Sequence, residues 1–96
     1  RLFRRRRRRR RRRRSDIRLK QNIVLLGQSK SGLNIYEYNY IWSDRKYKGV
    51  IAQEVKDKYP KAVSKDIWNG YYTVDYDKID VDFEEQLYDK VEFEEA

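Results

Sequence analysis

The chain has 96 residues, a formal net charge of +8, no Cys and no His. The absence of Cys excludes disulfides and thiolate metal sites, and the absence of His removes the commonest general base. No apolar run approaches the length that spans a membrane, and this length suits a single domain. The charge is uneven, because residues 1–14 hold twelve Arg and no acid and the other 82 residues together carry −4.

The N-terminal residues 1–14 are almost all Arg. Mutual repulsion and the lack of apolar side chains predict a disordered arm that precedes a folded domain at residues 15–96. Clustered Arg side chains, such as Arg4, Arg8 and Arg12, would bind nucleic acid or another polyanion by releasing its counterions. The alternative is a solvated low-complexity tail. No aromatic residue interrupts the Arg run, so it offers no stacking platform for single strands.

Strand and turn patterns alternate in the first half of the predicted domain. The short apolar run at residues 23–26 predicts a strand, and the polar, glycine-bounded residues 28–32 predict a turn. Along residues 33–42 the side chains alternate, which is typical of a half-buried strand with one aromatic face. A charged turn at residues 43–46 leads to a strand at residues 47–51, which we expect to pair with the strand before it.

One helix and one hairpin are predicted next. Apolar side chains four residues apart indicate a helix over residues 52–59, which Pro60 ends. Asn69 and Gly70 stand between apolar residues and predict a two-residue hairpin turn, because both turn positions need positive φ. The strand at residues 72–74 would return from that turn.

The C-terminal segment predicts a second helix. From Asp82 onward, Phe83, Leu87 and Val91 keep the spacing of a C-terminal amphipathic helix. The acidic residues 75–82 lack the glycine and final glutamate of an EF-hand loop, so a solvated face or a partner for the Arg arm is favoured over a calcium site. The expected fold class is therefore α+β, with small antiparallel β-hairpins, a short helix and the C-terminal amphipathic helix, preceded by the disordered Arg tract.

Ser15 and Lys20 are the candidate nucleophile and general base. In a chain without His or Cys, a Ser–Lys pair is one of the few remaining ways to cleave an acyl bond. Lys20 accepts a proton only when neutral, so burial or adjacent cations such as Arg18 must lower its pKa. Residues five apart face opposite sides of a strand and lie about 140° apart on a helix. Pairing therefore needs a bend, or a Lys20 from a neighbouring chain.

The same residues also fit a structural role, with Ser15 as a helix N-cap and Asp16 in the first turn. Motifs further along the chain favour the chemical role. They follow the hexapeptide at residues 15–20 and include the segment GVIAQEV at residues 49–55, Pro60 with Ala62 and Val63, Gly70, and the tripeptide Val-Asp-Tyr at residues 74–76. Together these motifs resemble the C-terminal chaperone domain of phage tail fibres and tailspikes, the self-cleaving intramolecular chaperones of the peptidase S74 family. The resemblance covers roughly residues 15–79.

The resemblance implies a function and a set of site residues. Ser15 would be the nucleophile and Lys20 the base of a dyad that cuts the chain once, releasing the domain from a fibre segment upstream in the same chain. The domain would assist assembly of a homotrimer, in the virion or in the host cytoplasm during assembly, and no cofactor or membrane is implied. The residues that match the family's supporting motifs are Arg18, Gly49, Gln53 and Glu54.

Arg14, Ser15 and Asp16 frame the expected cleavage site. Attack by Ser15 on the preceding carbonyl closes a five-membered ring, which favours the Arg14–Ser15 bond. Attack on its own carbonyl would close a strained four-membered ring, so a cut at Ser15–Asp16 would need another nucleophile, such as a second chain's serine. The backbone N–H groups after Ser15 are the expected oxyanion donors.

Two alternatives stay open at this point. The first is a polyanion-binding module that acts through the Arg arm. The second is an inactive structural domain of the virion, which would keep the fold without the cut.

Overall fold

The computed structural model describes residues 12–86, which form seven strands, one α-helix and three single turns of 3₁₀ helix. The strands are β1 (Arg12–Arg14), β2 (Lys20–Gln28), β3 (Asn34–Tyr40), β4 (Lys46–Gly49), β5 (Val63–Lys65), β6 (Tyr72–Asp75) and β7 (Glu84–Gln86). Helix α1 spans Ala52–Lys58, and the 3₁₀ turns are Ile17–Leu19, Pro60–Ala62 and Tyr76–Lys78.

The strands form two antiparallel sheets. One has four strands in the order β2-β3-β4-β7, and the other has three in the order β1-β6-β5. Helix α1 is the only α-helix among the described residues, so the protein is mostly β and the α+β prediction was wrong. The balance shifts toward strands because both ends of the described region, β1 and β7, add an edge strand to a sheet.

The prediction of a C-terminal helix was wrong for residues 82–86, the part of that segment that the structure describes. Its first residues form β7, which pairs with β4, and Phe83 packs against the core. Lys48 Nζ lies 3.3 Å from Glu84 Oε1 across this pair, so cross-strand charge pairing supports the strand. Leu87 and Val91, which completed the helical spacing, lie outside the described residues.

The core consists of two neighbouring clusters. The aliphatic cluster lies between α1, β6 and the segments that flank them; its buried members are Leu33, Val50, Ala52, Val55, Ala62, Val74, Tyr76 and Val81. The aromatic cluster contains Leu19, Tyr38 and Tyr40. Phe83 packs against both clusters. In the segment that joins β1 to β2, Ser15, Asp16 and Leu19 are buried, whereas Ile17 and Arg18 are exposed.

Several sequence predictions are confirmed with changed boundaries. The strands expected at residues 33–42 and 47–51 are β3 and β4, which pair with each other, and the predicted helix is α1. The predicted hairpin is the pair β5 and β6. Its loop is longer than the two residues expected, because Lys65 pairs with Tyr72. Gly70 takes a positive φ of 78°, whereas Asn69 does not, and Asp66 Oδ1 accepts the Trp68 N–H at 2.7 Å within this loop.

The last three residues of the predicted arm are ordered in a strand. Arg13 pairs with Val74 in the antiparallel ladder between β1 and β6. Backbone hydrogen bonds of a ladder need no apolar side chain, which is why an Arg run can supply a strand. Arg4 and Arg8 lie outside the described residues. Within residues 12–86, the one α-helix is neither long nor apolar enough to cross a membrane.

Candidate active site

A single 3₁₀ turn brings Ser15 and Lys20 together. Strand β1 ends at Arg14, the turn occupies Ile17–Leu19, and β2 begins at Lys20. Asp16 caps the turn, because its side chain accepts the Arg18 N–H at 2.9 Å. The Leu19 N–H donates to the Asp16 carbonyl at 3.0 Å and closes the turn, and Lys20 Nζ lies 2.9 Å from Ser15 Oγ.

Both members of the pair are buried. Ser15 is 0% exposed and Lys20 is 6% exposed. Lys20 Nζ donates to the Ser15 carbonyl at 3.0 Å and to the Val50 carbonyl at 2.5 Å, and Ser15 Oγ donates to the same Val50 carbonyl at 2.6 Å. The Tyr38 ring covers the amine, with its centroid 4.3 Å from Nζ. Burial therefore excludes bulk water from the Ser15 hydroxyl and the Lys20 amine.

Burial lowers the pKa of Lys20 to about 7, against the opposing attraction of Asp16 and Glu54 for the ammonium form. The sequence had offered burial or adjacent cations as the cause. Arg18 instead forms an ion pair with Asp16 at 2.8 Å, so desolvation is what favours the neutral amine. A neutral amine has two N–H groups and one lone pair, and that lone pair accepts the Ser15 proton once the hydroxyl turns from the Val50 carbonyl toward Lys20 Nζ.

Asp16 holds the backbone that follows Ser15. It is fully buried and accepts bonds from the Arg18 guanidinium at 2.9 and 2.8 Å, from the Tyr72 N–H at 3.0 Å and from Gln53 Nε2 at 2.9 Å. The guanidinium and these N–H groups hold the pKa of the carboxyl well below its usual range, although burial opposes the shift. The carboxylate thus ties β6 and α1 to the turn between Ser15 and Lys20.

The residues that match the family's supporting motifs lie in different parts of the structure. Gln53 lies beside the site, since its Oε1 also accepts the Ile17 N–H at 2.9 Å. Glu54 faces β3, where its Oε2 accepts from the Tyr36 hydroxyl at 2.7 Å. A Cβ at Gly49 would lie 2.5 Å from the Tyr76 hydroxyl oxygen. This close approach, rather than a special backbone angle, is what requires glycine there.

Tyr76 holds the Val50 backbone that contacts Ser15 and Lys20. Its hydroxyl accepts the Val50 N–H at 3.0 Å, and the Val50 carbonyl faces Ser15 and Lys20. Sequence reasoning included Tyr76 only in the Val-Asp-Tyr motif at residues 74–76 and assigned no role to Val50, because a backbone carbonyl leaves no signal in residue type.

The peptide bond before Ser15 is also held in place. The Arg14 carbonyl oxygen accepts from the Tyr40 hydroxyl at 2.9 Å, and the Ser15 N–H donates to the Tyr72 carbonyl at 3.1 Å. The backbone N–H groups after Ser15 were expected as oxyanion donors. Among them, those of Ile17 and Arg18 bond to the side chains of Gln53 and Asp16 instead. Sequence reasoning missed Tyr40, whose only signal was its place on the aromatic face of a strand.

Of the three Arg residues named as candidates for polyanion binding, the structure describes Arg12, and its side chain contacts the domain itself. Arg12 donates to Ser64 Oγ at 3.0 Å and lies 3.8 Å from Asp75. Within residues 12–86, no group of three or more carboxylate side chains is arranged to hold a metal ion. Asp80, in the acidic segment, accepts from the Ser31 N–H at 2.9 Å, so it closes the turn between β2 and β3.

Comparison with known proteins identifies a family. The model of the peptidase S74 family, described as the chaperone of endosialidase, matches residues 15–64. No match was found among curated proteins or among solved structures. The matched segment is more than half of the chain and contains Ser15, Lys20, Gly49, Gln53 and Glu54. The chain therefore belongs to the peptidase S74 family, the chaperone of endosialidase.

Proposed function

We propose that this protein is an intramolecular chaperone domain of a phage or viral tail fibre or tailspike, and that it releases itself by autoproteolysis at Ser15. The observation that supports the proposal most strongly is the buried 2.9 Å contact between Ser15 Oγ and Lys20 Nζ. A pKa of about 7 leaves much of Lys20 neutral at physiological pH, which is the state that a general base requires. Family membership supports the chaperone role.

The proposed reaction is one intramolecular turnover at the Arg14–Ser15 bond. Neutral Lys20 takes the hydroxyl proton as Ser15 Oγ attacks the Arg14 carbonyl carbon through a five-membered ring. The C–N bond breaks, the proton passes from Lys20 to the Ser15 nitrogen, and an ester joins the Arg14 acyl group to Ser15 Oγ. Water then hydrolyses the ester, which leaves a carboxylic acid on Arg14 and restores the Ser15 hydroxyl. A cut at Ser15–Asp16 is less consistent with this pathway, since Ser15 cannot reach its own carbonyl without strain.

The partner in this proposal is the chain segment upstream of Ser15. Strand β1 ends at Arg14, next to the nucleophile, so the segment to be released enters the domain as a paired strand of the smaller sheet. Such pairing forms only once β6 is in place. The cut would therefore follow folding of the domain, which is the order that a chaperone of its own upstream segment needs.

We propose a homotrimer as the assembled state and the virion as its destination.

Intact mass of freshly made protein tests the proposal. We expect the wild-type chain to yield a fragment that starts at Ser15, and we expect Ser15→Ala and Lys20→Met each to give a single uncut mass. Lys30→Met is the matched control, because Lys30 is exposed and far from the pair in the sequence. A wild-type chain that folds and stays uncut would contradict autoproteolysis and leave the inactive virion domain as the better proposal.

A second candidate function is binding of nucleic acid or another polyanion by the Arg arm. The observation that favours it is the density of positive charge, twelve Arg within residues 1–14. Such a tract neutralises phosphates and binds in a strongly salt-dependent way without reading sequence.

A further inference from the structure

We propose that the Tyr40 hydroxyl is the oxyanion donor for cleavage of the Arg14–Ser15 bond, which would make Tyr40 a catalytic residue beside Ser15 and Lys20. The inference rests on the proposed function and adds the group that stabilises the charge developing in the reaction. Its basis is the 2.9 Å hydrogen bond from Tyr40 Oη to the Arg14 carbonyl oxygen, the atom that would become the oxyanion.

The ladder between β1 and β6 leaves this carbonyl free for a side chain. Hydrogen-bonded and non-hydrogen-bonded pairs alternate along antiparallel strands. The Ser15 N–H donates to the Tyr72 carbonyl, so the preceding pair, Arg14 with Thr73, is the non-hydrogen-bonded kind. The Arg14 carbonyl consequently points away from β6, and Tyr40 reaches it from β3.

Packing holds the phenol in place before the reaction begins. Tyr40 is 7% exposed, meets the Tyr38 ring edge-on at 5.4 Å, and stacks on Trp42 at 4.9 Å with 6° between the rings. A donor that is already oriented in a site sheltered from water stabilises developing charge without a reorganisation cost.

The chemistry requires this donor in both steps. When Ser15 Oγ bonds to the Arg14 carbonyl carbon, the pair of electrons from the C=O bond moves to the oxygen that Tyr40 contacts. When water attacks the resulting ester, the same oxygen takes the negative charge again. The phenol shares its hydrogen bond and keeps its proton throughout, while Lys20 carries the transferred proton.

The ionisation state of Tyr40 suits this task. Burial raises its pKa to about 12, so it is a protonated donor at neutral pH. The titratable or charged groups that affect its pKa are Tyr38, Tyr76, Arg13 and Tyr47. The Tyr38 hydroxyl and the positive charge of Arg13 oppose the rise, but burial outweighs both.

A pulse of cell-free synthesis followed by a chase measures cleavage of the full chain as it folds. We expect Tyr40→Phe to slow the appearance of the fragment that begins at Ser15 by about 100-fold, the usual loss for one oxyanion donor. Tyr47→Phe, which changes another ring of the same aromatic cluster, is the control and should cut at the wild-type rate. Ser15→Ala gives the uncut reference.

The outcomes separate the two proposals. If wild type cuts and a folded Tyr40→Phe cuts equally fast, the role of Tyr40 is overturned while autoproteolysis stands. If wild type itself stays uncut, both proposals fail.

A fluorinated tyrosine at position 40, introduced by stop-codon suppression, preserves the ring and tests the role if Tyr40→Phe does not fold. Its more acidic phenol should lose the donor proton at lower pH, so cleavage should decline on the alkaline side at a pH where the wild-type rate is constant. An unchanged pH profile would overturn the proposal.

Discussion

Lys20 Nζ lies 2.9 Å from Ser15 Oγ, although residues five apart meet on neither a regular strand nor a regular helix. The 3₁₀ turn at Ile17–Leu19 lies between them, and the Val50 carbonyl bonds to both groups. The contact therefore forms within one chain, without a lysine from a neighbour.

The cleavage rate should follow the ionisation of Lys20. Only the neutral amine accepts the Ser15 proton, so we expect the rate to rise about tenfold per pH unit below pH 7 and to level off above it, as the pKa of about 7 requires. Glu54 raises the pKa of Lys20, so Glu54→Gln should move the midpoint to lower pH. Rates measured by pulse and chase across pH test this. A midpoint near the ordinary Lys pKa would contradict it.

The free energy of unfolding should also depend on pH, because Lys20 is buried. In the unfolded chain Lys20 keeps its proton up to its ordinary pKa near 10, whereas the folded chain releases it near 7. The unfolded state binds more protons between these values, so the free energy of unfolding rises with pH across that window, by at most about 1.4 kcal/mol per pH unit. We expect this rise in Ser15→Ala, which keeps the chain intact, and its loss in Ser15→Ala with Lys20→Met. Urea unfolding at several pH values measures it; equal slopes in both variants would refute it.

Asp16→Asn should destabilise the fold by about 3 kcal/mol, because it removes the charge from a buried, ion-paired carboxylate. The folded-state pKa of Asp16 is lowered, so its contribution is present above the ordinary Asp pKa and disappears as pH falls below it. The difference between Ser15→Ala and its Asp16→Asn derivative should therefore shrink in acid. Asp57→Asn, at an exposed position of α1, is the control. A difference that stays constant down to pH 2 would argue against the ion pair as the cause.

Gly49→Ala should cost about 1–3 kcal/mol, the usual penalty for overpacking a core. Its Cβ would lie 2.5 Å from the Tyr76 hydroxyl and 3.0 Å from that of Tyr38, and displacing Tyr76 would also disturb Val50. Gly27→Ala is the matched control, since a Cβ there meets nothing within 4 Å. Thermal unfolding of both variants in the Ser15→Ala background gives the comparison. Equal stability of the two variants would show that the close approach at Gly49 is relieved at no cost.

Removal of residues 1–11 separates the arm from the domain. The shortened chain keeps β1 and its pairing with β6, so we expect it to fold and to cut as the full chain does. If the arm binds polyanions, heparin affinity should fall sharply on this deletion, and the affinity of the full chain should drop steeply with salt. Heparin binding that survives the deletion would exclude the arm as the site.

Much of the site was predictable from local sequence. The pair Ser15 and Lys20, the helix that carries Gln53 and the aromatic face of the strand containing Tyr40 are all properties of residue type and spacing, which local patterns report directly. The strands β3 and β4 and the helix α1 were predicted for the same reason.

Only the tertiary structure decided the rest. Burial lowered the pKa of Lys20 to about 7, and burial depends on Val50, Tyr38 and other groups that are distant in sequence. The segment at β7 was predicted as a helix from its spacing, but pairing with the free edge of β4 made it a strand. The contact between Tyr40 and the Arg14 carbonyl joins two sheets across 26 residues. Such contacts arise when strands pair and pack, and no local pattern of residues encodes them.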